Sequence, residues 1–314
     1  DQPTFFKKFE ARQSVQYFYE PFLEAFDPAL RKQLGVWYTP REIVRYQVER
    51  VDHALRTELG IADGLADPQV VVLDPCCGTG AYLVEVLDLI ARRLAAQGNA
   101  ALAGQELKQA AQQRIFGFEL LPAPYVVAHL QLGLLLRSLN APLQSDAKGG
   151  GERVGVFLTN ALTGWEPLKE PKKQVLPFPE LAAERDAANS VKREQKILVI
   201  LGNPPYNGYA GVVIGEEREL SDAYRKAKTG PQPQGQGLNE LYVRFFRIAE
   251  RRIVKSGKGV MCYISNASYL GDPSYVVMRQ HLLTTFDRLW LDNLNGDSRE
   301  TGKLTPEGKP DPSI

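Results

Sequence analysis

The segment VVVLDPCCGTG, residues 70–80, joins an apolar run to an acid and then to two glycines. Val70–Asp74 is typical of a buried strand, and a helix is expected to follow from about Ala81 to Ala96. Gly78 and Gly80 allow a tight turn between the two elements and a close approach of the backbone to a ligand. Strand, glycine turn and helix in this order open an α/β fold.

The rest of the chain continues this alternation. Further strands are predicted at Ile115–Glu119, Val154–Leu158, Ile197–Leu201, Val260–Ser265 and Phe286–Asp292, and further helices at Ala123–Ser138, from about Pro179, at Glu240–Val254 and at Ser274–Thr284. Strands that alternate with helices predict an α/β fold with a doubly wound, mostly parallel, Rossmann-like sheet. Ligands of such sheets bind beyond the carboxyl ends of the strands, where each motif described below falls.

The lead-in to this fold is predicted to be an N-terminal helical segment, residues 1–60. Thr39, Pro40 and Glu42 form the pattern of a capping box with proline at the first helical position, so a helix should run from there to about Leu59. Residues 61–294 are expected to form the catalytic domain, and 295–314 a loop or linker to a further C-terminal part. Gly208–Leu238 is expected to be a long loop that is either functional or disordered.

Composition narrows the class of protein without naming a partner. The 314 residues are 44% hydrophobic and 24% charged, as in soluble globular proteins. The apolar runs are strand-sized, so neither a membrane helix nor a signal peptide is expected. Three cysteines and three histidines give no disulfide framework and no metal spacing, which indicates a reducing, cytoplasmic compartment. The net charge of +1 neither favours nor excludes nucleic acid.

The residues around the glycine turn favour one cofactor over another. A dinucleotide site needs a third glycine three residues after Gly80, where this chain has Leu83. Asp74 would repel a pyrophosphate but suits a cationic amino-acid moiety, and Glu119, at the end of the second strand, suits a ribose diol. S-adenosyl-L-methionine has both features, so it is favoured over NAD. Taken without this context, the two glycines are also compatible with a plain strand-to-helix turn.

With these residues the chain resembles the gamma class of adenine-N6 DNA methyltransferases, which have the class I fold. Tyr38-Thr39-Pro40 is similar to motif X of that family, Asp74–Gly80 to motif I, Phe118-Glu119 to motif II, Asn160-Ala161-Leu162 to motif III and Asn203-Pro204-Pro205-Tyr206 to motif IV. The order and spacing look most like the methyltransferase module of type ISP and similar single-chain restriction-modification or phage-defence proteins. Asn160 departs from the aspartate that the family often has there.

The resemblance implies a set of site residues. The cofactor pocket would be lined by Tyr38, Thr39, Pro40, Asp74, Pro75, Cys76, Gly78, Gly80, Glu119 and Asn160. Cys76 and Cys77 are also explained as small buried filler, the interpretation that the residue type favours. Asn203, Pro204, Pro205 and Tyr206 would be the catalytic residues, with no metal.

The motif Asn203–Tyr206 has the chemistry that methylation of an aromatic amine needs. Oxygens of the Asn203 side chain and the Pro204 carbonyl would accept the hydrogens of adenine N6 and localise its lone pair, and no strong base is needed. Tyr206 offers a ring on which a flipped-out adenine can stack. Stacking contributes about 1–3 kcal/mol, which is comparable with the few kcal/mol that flipping costs. A rigid proline turn without chemistry is the alternative.

The sequence leaves several alternatives open. The same motif serves methyltransferases of protein glutamine and of RNA bases, and a non-catalytic binding module would keep the fold. Basic residues in 244–258 fit a solvated helix face better than a phosphate track, and Arg225–Lys228 are the better candidates for touching DNA. Double-stranded DNA is the expected partner. Target recognition is expected from further domains or subunits, because no segment resembles a recognition domain.

Overall fold

The computed structural model describes residues 39–98, 100–144, 151–166, 179–206, 215–227, 233 and 237–294. Its strands are β1 (Val71–Asp74), β2 (Ile115–Glu119), β3 (Gly155–Leu158), β4 (Ile197–Gly202) and β5 (Val260–Tyr263). They form one sheet in the order β3-β2-β1-β4-β5, and every neighbouring pair is parallel. The predicted doubly wound α/β fold is therefore confirmed, with the glycine-turn strand β1 at the centre of the sheet.

Helices cover both faces of this sheet. They are α1 (Arg41–Thr57), α2 (Ala81–Ala96), α3 (Ala100–Gln113), α4 (Pro122–Ser138), α5 (Pro179–Glu194), α6 (Gly215–Arg225), α7 (Leu241–Ser256), the short α8 (Ser268–Gly271) and α9 (Val276–Thr285). Short 3-10 turns precede β1, α7 and α9, at Gly64–Ala66, Gly237–Asn239 and Pro273–Tyr275. Among the described residues no helix is long and apolar enough to cross a membrane.

Two cores, one on each face, hold the helices on the sheet. Helices α1 to α4 share one core, which includes Val48, Leu83, Leu107 and Leu132. Helices α5 and α7 share the opposite core, to which Phe118 of β2 and Ile200 of β4 also belong. A third, aromatic cluster joins α6 and α7 to α9 through Tyr224, Tyr242 and Met278. Because both faces are covered, a ligand has access to the sheet at its edges.

Most elements lie where the sequence predicts them, within the usual uncertainty of helix and strand ends. Helix α2 spans Ala81–Ala96 and β2 spans Ile115–Glu119, as expected. Helix α3 was not predicted. Helix α6 lies inside the region 208–238 that was expected to be a loop.

The strand predicted at Phe286–Asp292 is wrong. This segment has no strand structure and lies on the surface, where Trp290 is 50% exposed and Leu291 is 62% exposed. Polar contacts hold it near α1: Tyr46 donates a hydrogen bond to Asp292 at 2.8 Å, and Arg288 pairs with Glu58 at 2.7 Å. Its composition favours a strand, but a strand also needs a backbone partner, and this segment pairs with none of the described strands.

The predicted capping box at Thr39 is also wrong. Helix α1 begins at Arg41, and Pro40 is its N-cap, whose carbonyl accepts from the N–H groups of Ile43 at 3.0 Å and Val44 at 3.1 Å. The Thr39 hydroxyl therefore does not cap α1. It contacts a residue in the loop that follows β4 instead, as described below.

Several predictions lie outside the described residues. They include the segment before residue 39 with Tyr38, and the tail 295–314. The division at residue 60 stays a prediction. Helix α1 packs through Val44, Val48 and Val51 into the same core as α2.

Candidate active site

The carboxyl end of β1 carries a buried acid with one free oxygen. Asp74 is fully buried, and its Oδ1 accepts a hydrogen bond from the Cys76 N–H at 3.1 Å. Asp74 Oδ2 is buried and has no hydrogen-bond partner among the described residues. Burial raises the pKa of Asp74 to about 7, although the Cys76 N–H opposes the rise. A carboxylate in this position favours a cationic ligand, which would provide the missing partner.

The glycine turn after Asp74 has the left-handed backbone that glycine favours. Gly78 has φ +53° and Gly80 has φ +90°, and a Cβ on Gly80 would lie 3.2 Å from the Cβ of Ala128. A Cβ on Gly78 would meet no atom of the described residues within 4 Å, so the described part of the turn is open on that side. The turn therefore leaves backbone accessible directly above Asp74, as a ligand that approaches the main chain needs.

Glu119, at the end of β2, holds the glycine turn in place. Its Oε2 accepts from the Gly78 N–H at 2.9 Å, and its Oε1 accepts from the N–H groups of Leu120 and Leu121 at 2.8 Å. Burial raises the pKa of Glu119, while these three donors oppose the rise. A carboxylate has about four acceptor positions, so one remains on Oε2 for a further donor.

The two neighbouring cysteines fit the interpretation as filler. Cys77 is buried and Cys76 half-buried. Burial raises the pKa of both thiols well above its usual value, so neither is a reactive thiolate at neutral pH. Across the described residues, no three histidines, cysteines or carboxylates come close enough to hold a metal ion.

The end of β4 lies directly beside Asp74. A Cβ on Gly202 would lie 2.7 Å from Asp74 Oδ1 and 3.4 Å from the Cys76 sulfur, so no side chain fits there without a shift. Asn203 follows this glycine, so the predicted catalytic motif starts next to the predicted cofactor acid. The structure thus brings the predicted cofactor-binding turn and the predicted catalytic motif together at the carboxyl end of the sheet.

Both ends of the Asn203 carboxamide are held. Its Nδ2 donates to Thr39 Oγ1 at 3.0 Å, and its Oδ1 accepts from the Tyr206 hydroxyl at 2.7 Å. The carboxamide oxygen keeps one further acceptor position. The Thr39 contact, between residues 164 positions apart, has no signal in the local sequence.

Tyr206 lies half-buried against the aromatic cluster. Its ring centroid is 6.2 Å from that of Tyr242, and burial raises the pKa of its hydroxyl. Its hydroxyl contact fixes the orientation of Asn203, a role that the sequence did not suggest. The predicted stacking on a base stays a prediction.

Asn160, just after β3, is surrounded by buried charged residues that the sequence analysis missed. Asn160 Nδ2 donates to Glu217 of α6 at 2.7 Å, and its backbone carbonyl accepts from Lys192 Nζ of α5 at 2.8 Å. Glu217 in turn pairs with Arg244 of α7 at 3.2 Å. No local pattern could reveal these contacts, because their partners are 27 to 57 residues apart in sequence.

The basic residues of α7 do not form one solvated face as expected. Arg244 is 3% exposed, and Arg252 is 5% exposed with its guanidinium 4.9 Å from the Trp165 ring centroid. Arg251 fits the expectation better, because it is exposed and pairs with Glu166. Lys228 lies outside the described residues.

Comparisons with known proteins find one matching family profile and several similar folds. Residues 10–142 match the profile of the family described as N-6 DNA Methylase. The fold is similar to a solved DrdV–DNA complex, with 26% identity and a TM-score of 0.66 over 87% of this chain and 24% of that one. It is also similar to the ATP-dependent type ISP restriction-modification enzyme LlaBIII bound to DNA, with 23% identity and a TM-score of 0.68 over 87% of this chain and 17% of that one.

A third similar structure is a nuclease-deletion mutant of the type ISP restriction-modification enzyme LlaGI in complex with a DNA substrate mimic. The identity is 24% and the TM-score 0.74, over 94% of this chain and 23% of that one. The resemblance predicted from the motifs is therefore confirmed at two levels: residues 10–142 match the N-6 DNA Methylase family, and the fold is that of the type ISP structures. The chain spans about a quarter or less of the length of these structures. No curated protein sequence matches the chain.

Proposed function

We propose that this chain transfers a methyl group from S-adenosyl-L-methionine to N6 of a flipped-out adenine in DNA, as the modification activity of a restriction-modification or phage-defence system. The observation that carries the proposal is the contact between the ends of β1 and β4. Gly202 approaches Asp74 too closely for a side chain to fit, and Asn203 is the next residue, so a methyl donor bound at Asp74 would lie near the Asn203 carboxamide. The N-6 DNA Methylase match over residues 10–142 supports adenine as the acceptor.

The described residues fit the proposed cofactor. Asp74 Oδ2 is a buried acceptor that lacks a partner among the described residues, and it would accept from the ammonium group of the methionine moiety. Glu119 has one acceptor position left for a ribose hydroxyl, while its other positions hold the glycine turn. When bound, this cofactor supplies an electrophilic methyl group on a sulfonium centre.

Asn203 and Pro204 would activate the amine. Asn203 Oδ1 and the Pro204 carbonyl oxygen accept one hydrogen each from adenine N6, which localises the nitrogen lone pair for attack. Pro204 and Pro205 fix φ at two successive positions, so little ordering remains when the base arrives. Tyr206 and Thr39 hold the carboxamide so that its oxygen keeps one orientation. Such prior positioning lowers the barrier because the groups do not reorganise during transfer.

Tyr206 would also hold the extruded base. Flipping an adenine out of a duplex costs a few kcal/mol. Stacking on an aromatic ring contributes about 1–3 kcal/mol, which offsets much of that cost. The Tyr206 ring already packs at 6.2 Å from Tyr242, so its orientation does not have to be fixed by the base.

Transfer of a deuterated methyl group tests the substrate class. The chain, supplied together with the domains or subunits that provide target recognition, is incubated with labelled cofactor and, separately, with unmethylated duplex DNA, total RNA and a peptide-release factor. The products are digested and examined by mass spectrometry. We expect labelled N6-methyldeoxyadenosine from DNA alone. Labelled RNA or labelled glutamine with unlabelled DNA would identify one of the other N-methyltransferase activities. Cofactor binding without transfer to any of the three would favour a non-catalytic module.

A further inference from the structure

Three polar side chains follow one another along the carboxyl edge of the sheet. Asp74 ends β1, Glu119 ends β2, and Asn160 lies two residues after β3. These strands are neighbours in the order β3-β2-β1, and the Thr159 N–H donates to the Glu119 carbonyl at 2.7 Å. Neighbouring strands are about 4.8 Å apart, so the row spans about 10 Å. An elongated ligand with its amino-acid end at Asp74 and its ribose at Glu119 would have its base at Asn160.

The orientation of the Asn160 carboxamide is fixed by two partners of opposite kind. Its Nδ2 donates to Glu217 Oε1 at 2.7 Å, and its Oδ1 accepts from the Leu162 N–H at 2.8 Å. A carboxylate only accepts and a backbone N–H only donates, so the amide cannot be reversed without losing both bonds. The position that remains on Oδ1 is an acceptor.

Glu217 is itself held rigidly. It is 8% exposed, and its Oε2 accepts from Nη1 of Arg244, which is 3% exposed, at 3.2 Å. The preceding residue of α6, Glu216, accepts from the backbone N–H groups of Gly164 at 2.9 Å and Trp165 at 3.1 Å. The first turn of α6 therefore holds the loop after β3 by one side-chain contact and two backbone contacts.

Lys192 holds the same loop from α5. Its Nζ donates to Thr159 Oγ1 and to the Asn160 carbonyl, both at 2.8 Å, and lies 5.1 Å from the Phe118 ring centroid. The backbone of Asn160 is thus fixed by Lys192, while the rotation of its side chain is fixed by Glu217. Mutation can therefore separate the role of Lys192, which holds the Asn160 backbone, from the role of Glu217, which holds the Asn160 side chain.

We propose that Glu217 is a positioning residue that makes the cofactor pocket selective for a 6-amino purine, and this inference rests on the proposed function. An unconstrained asparagine can turn its oxygen toward a 6-amino group or its nitrogen toward a 6-oxo group. Glu217 retains the Asn160 nitrogen through one of its hydrogens and the Leu162 N–H retains the oxygen, so the carboxamide does not flip and its oxygen would face the base. The pair Asn160–Glu217 then does what an aspartate alone would do at this position.

Titration calorimetry with two product analogues tests the inference. S-adenosylhomocysteine and S-inosylhomocysteine differ at the 6-position of the purine. We expect the full chain to bind the adenosyl compound at least tenfold more tightly, a difference of about 1.4 kcal/mol. In Glu217→Gln the new side-chain amide has no arrangement that satisfies both Asn160 and Arg244. The ratio of the affinities for the adenosyl and inosyl compounds should therefore fall to about threefold or less, roughly half of that free energy.

Two further variants complete the test. Asn160→Asp/Glu217→Gln exchanges the amide and the carboxylate, restores a matched pair with Arg244 satisfied, and is expected to regain the preference for the adenosyl compound. Glu216→Ala loosens the same loop without touching the Asn160 side chain, so both ligands should weaken equally. Thermal melting confirms that each variant is folded.

The outcomes are distinct. A ratio unchanged in Glu217→Gln, or a double variant no better than the single one, overturns the role of Glu217 while the proposed function stands. If the wild-type chain binds neither compound, the proposed cofactor is wrong and the inference falls with it.

Discussion

Replacement of Asp74 by asparagine separates two effects of this buried acid: its cost to folding stability and its contribution to cofactor binding. The folded-state pKa is about 7 and the ordinary value 3.8, so the native protein binds more protons than the unfolded chain between these pH values. Stability therefore falls as the pH rises through this window, and the full loss of about 4 kcal/mol is reached above pH 7. The asparagine side chain does not titrate, so the Asp74→Asn variant is free of this loss.

The size of the effect is best measured as a difference between two pH values. Any effect of the asparagine that does not depend on pH cancels in this difference. The free energy of unfolding of the variant, relative to that of the wild type, should rise by about 2–3 kcal/mol between pH 5 and pH 8. Urea unfolding at both pH values measures it. Asp52→Asn is the matched control, because Asp52 is buried but pairs with Arg56 and Arg93, and its loss should destabilise the protein.

Cofactor binding should move in the opposite direction. Loss of the charge opposite a buried ammonium group costs about 2–5 kcal/mol, so S-adenosylmethionine should bind Asp74→Asn at least about thirtyfold more weakly at pH 8. In the wild type the affinity should fall about tenfold per pH unit below pH 7, because the carboxyl group must first lose its proton. A stability difference independent of pH, or unchanged binding in the variant, would refute this account of Asp74.

Substitutions at three other positions, two of them with a control variant, follow from the geometry. Gly202→Ala puts a Cβ 2.7 Å from Asp74 Oδ1, so it should cost about 1–3 kcal/mol in urea unfolding and weaken cofactor binding in calorimetry. Gly257→Ala, also at positive φ but in open space, should cost about 1 kcal/mol and leave binding unchanged. Lys192→Met removes an ammonium group whose pKa burial lowers from 10.5 to about 8. Between pH 7.5 and pH 10 the unfolded wild type binds more protons than the folded wild type. The free energy of unfolding of the wild type should therefore rise by about 2 kcal/mol relative to that of the variant over this range. Thr39→Val should slow methyl transfer about tenfold in a single-turnover assay through loss of one hydrogen bond to Asn203, and Thr39→Ser should not.

Each of these has a contrary result. Equal cofactor affinity in Gly202→Ala and Gly257→Ala would mean that the close approach of β4 to β1 is irrelevant to binding. A pH-independent difference for Lys192→Met would mean that the lysine is not desolvated. Equal rates for the valine and serine variants of Thr39 would remove its role in holding Asn203.

The fold could be predicted because apolar runs and glycine turns are local signals. Val72, Leu73 and Ile197–Leu201 are buried in the sheet, and strands buried on both faces are nearly continuous apolar runs. Helix α3 was missed because its sequence AALAGQELKQAAQQ has few large apolar residues to mark a buried face. The false strand at 286–292 shows the opposite error, since apolar composition alone does not supply a strand partner.

The candidate site was predictable only where its residues lie in one short segment. Asp74, the glycine turn and Asn203–Tyr206 each follow a strand directly, so the parallel sheet brings them to one edge. The contacts that orient them are long-range: Thr39 with Asn203, and Glu217 with Asn160. The local Thr-Pro-x-Glu pattern favours helix capping by Thr39, and the tertiary contact outweighs that preference.

Asn203→Ala tests most directly whether the methyl-donor pocket and the oxygens that accept hydrogen bonds from adenine N6 act together at one end of the sheet. Cofactor affinity and labelled N6-methyldeoxyadenosine are measured on the same preparation, with Asn266→Ala, a change three residues after the neighbouring strand β5, as the control. We expect cofactor affinity within about threefold of the wild type, a change below 1 kcal/mol. Methyl transfer should fall at least about a hundredfold, or about 3 kcal/mol of transition-state stabilisation. Methylation of adenine at an undiminished rate in Asn203→Ala would contradict this expectation.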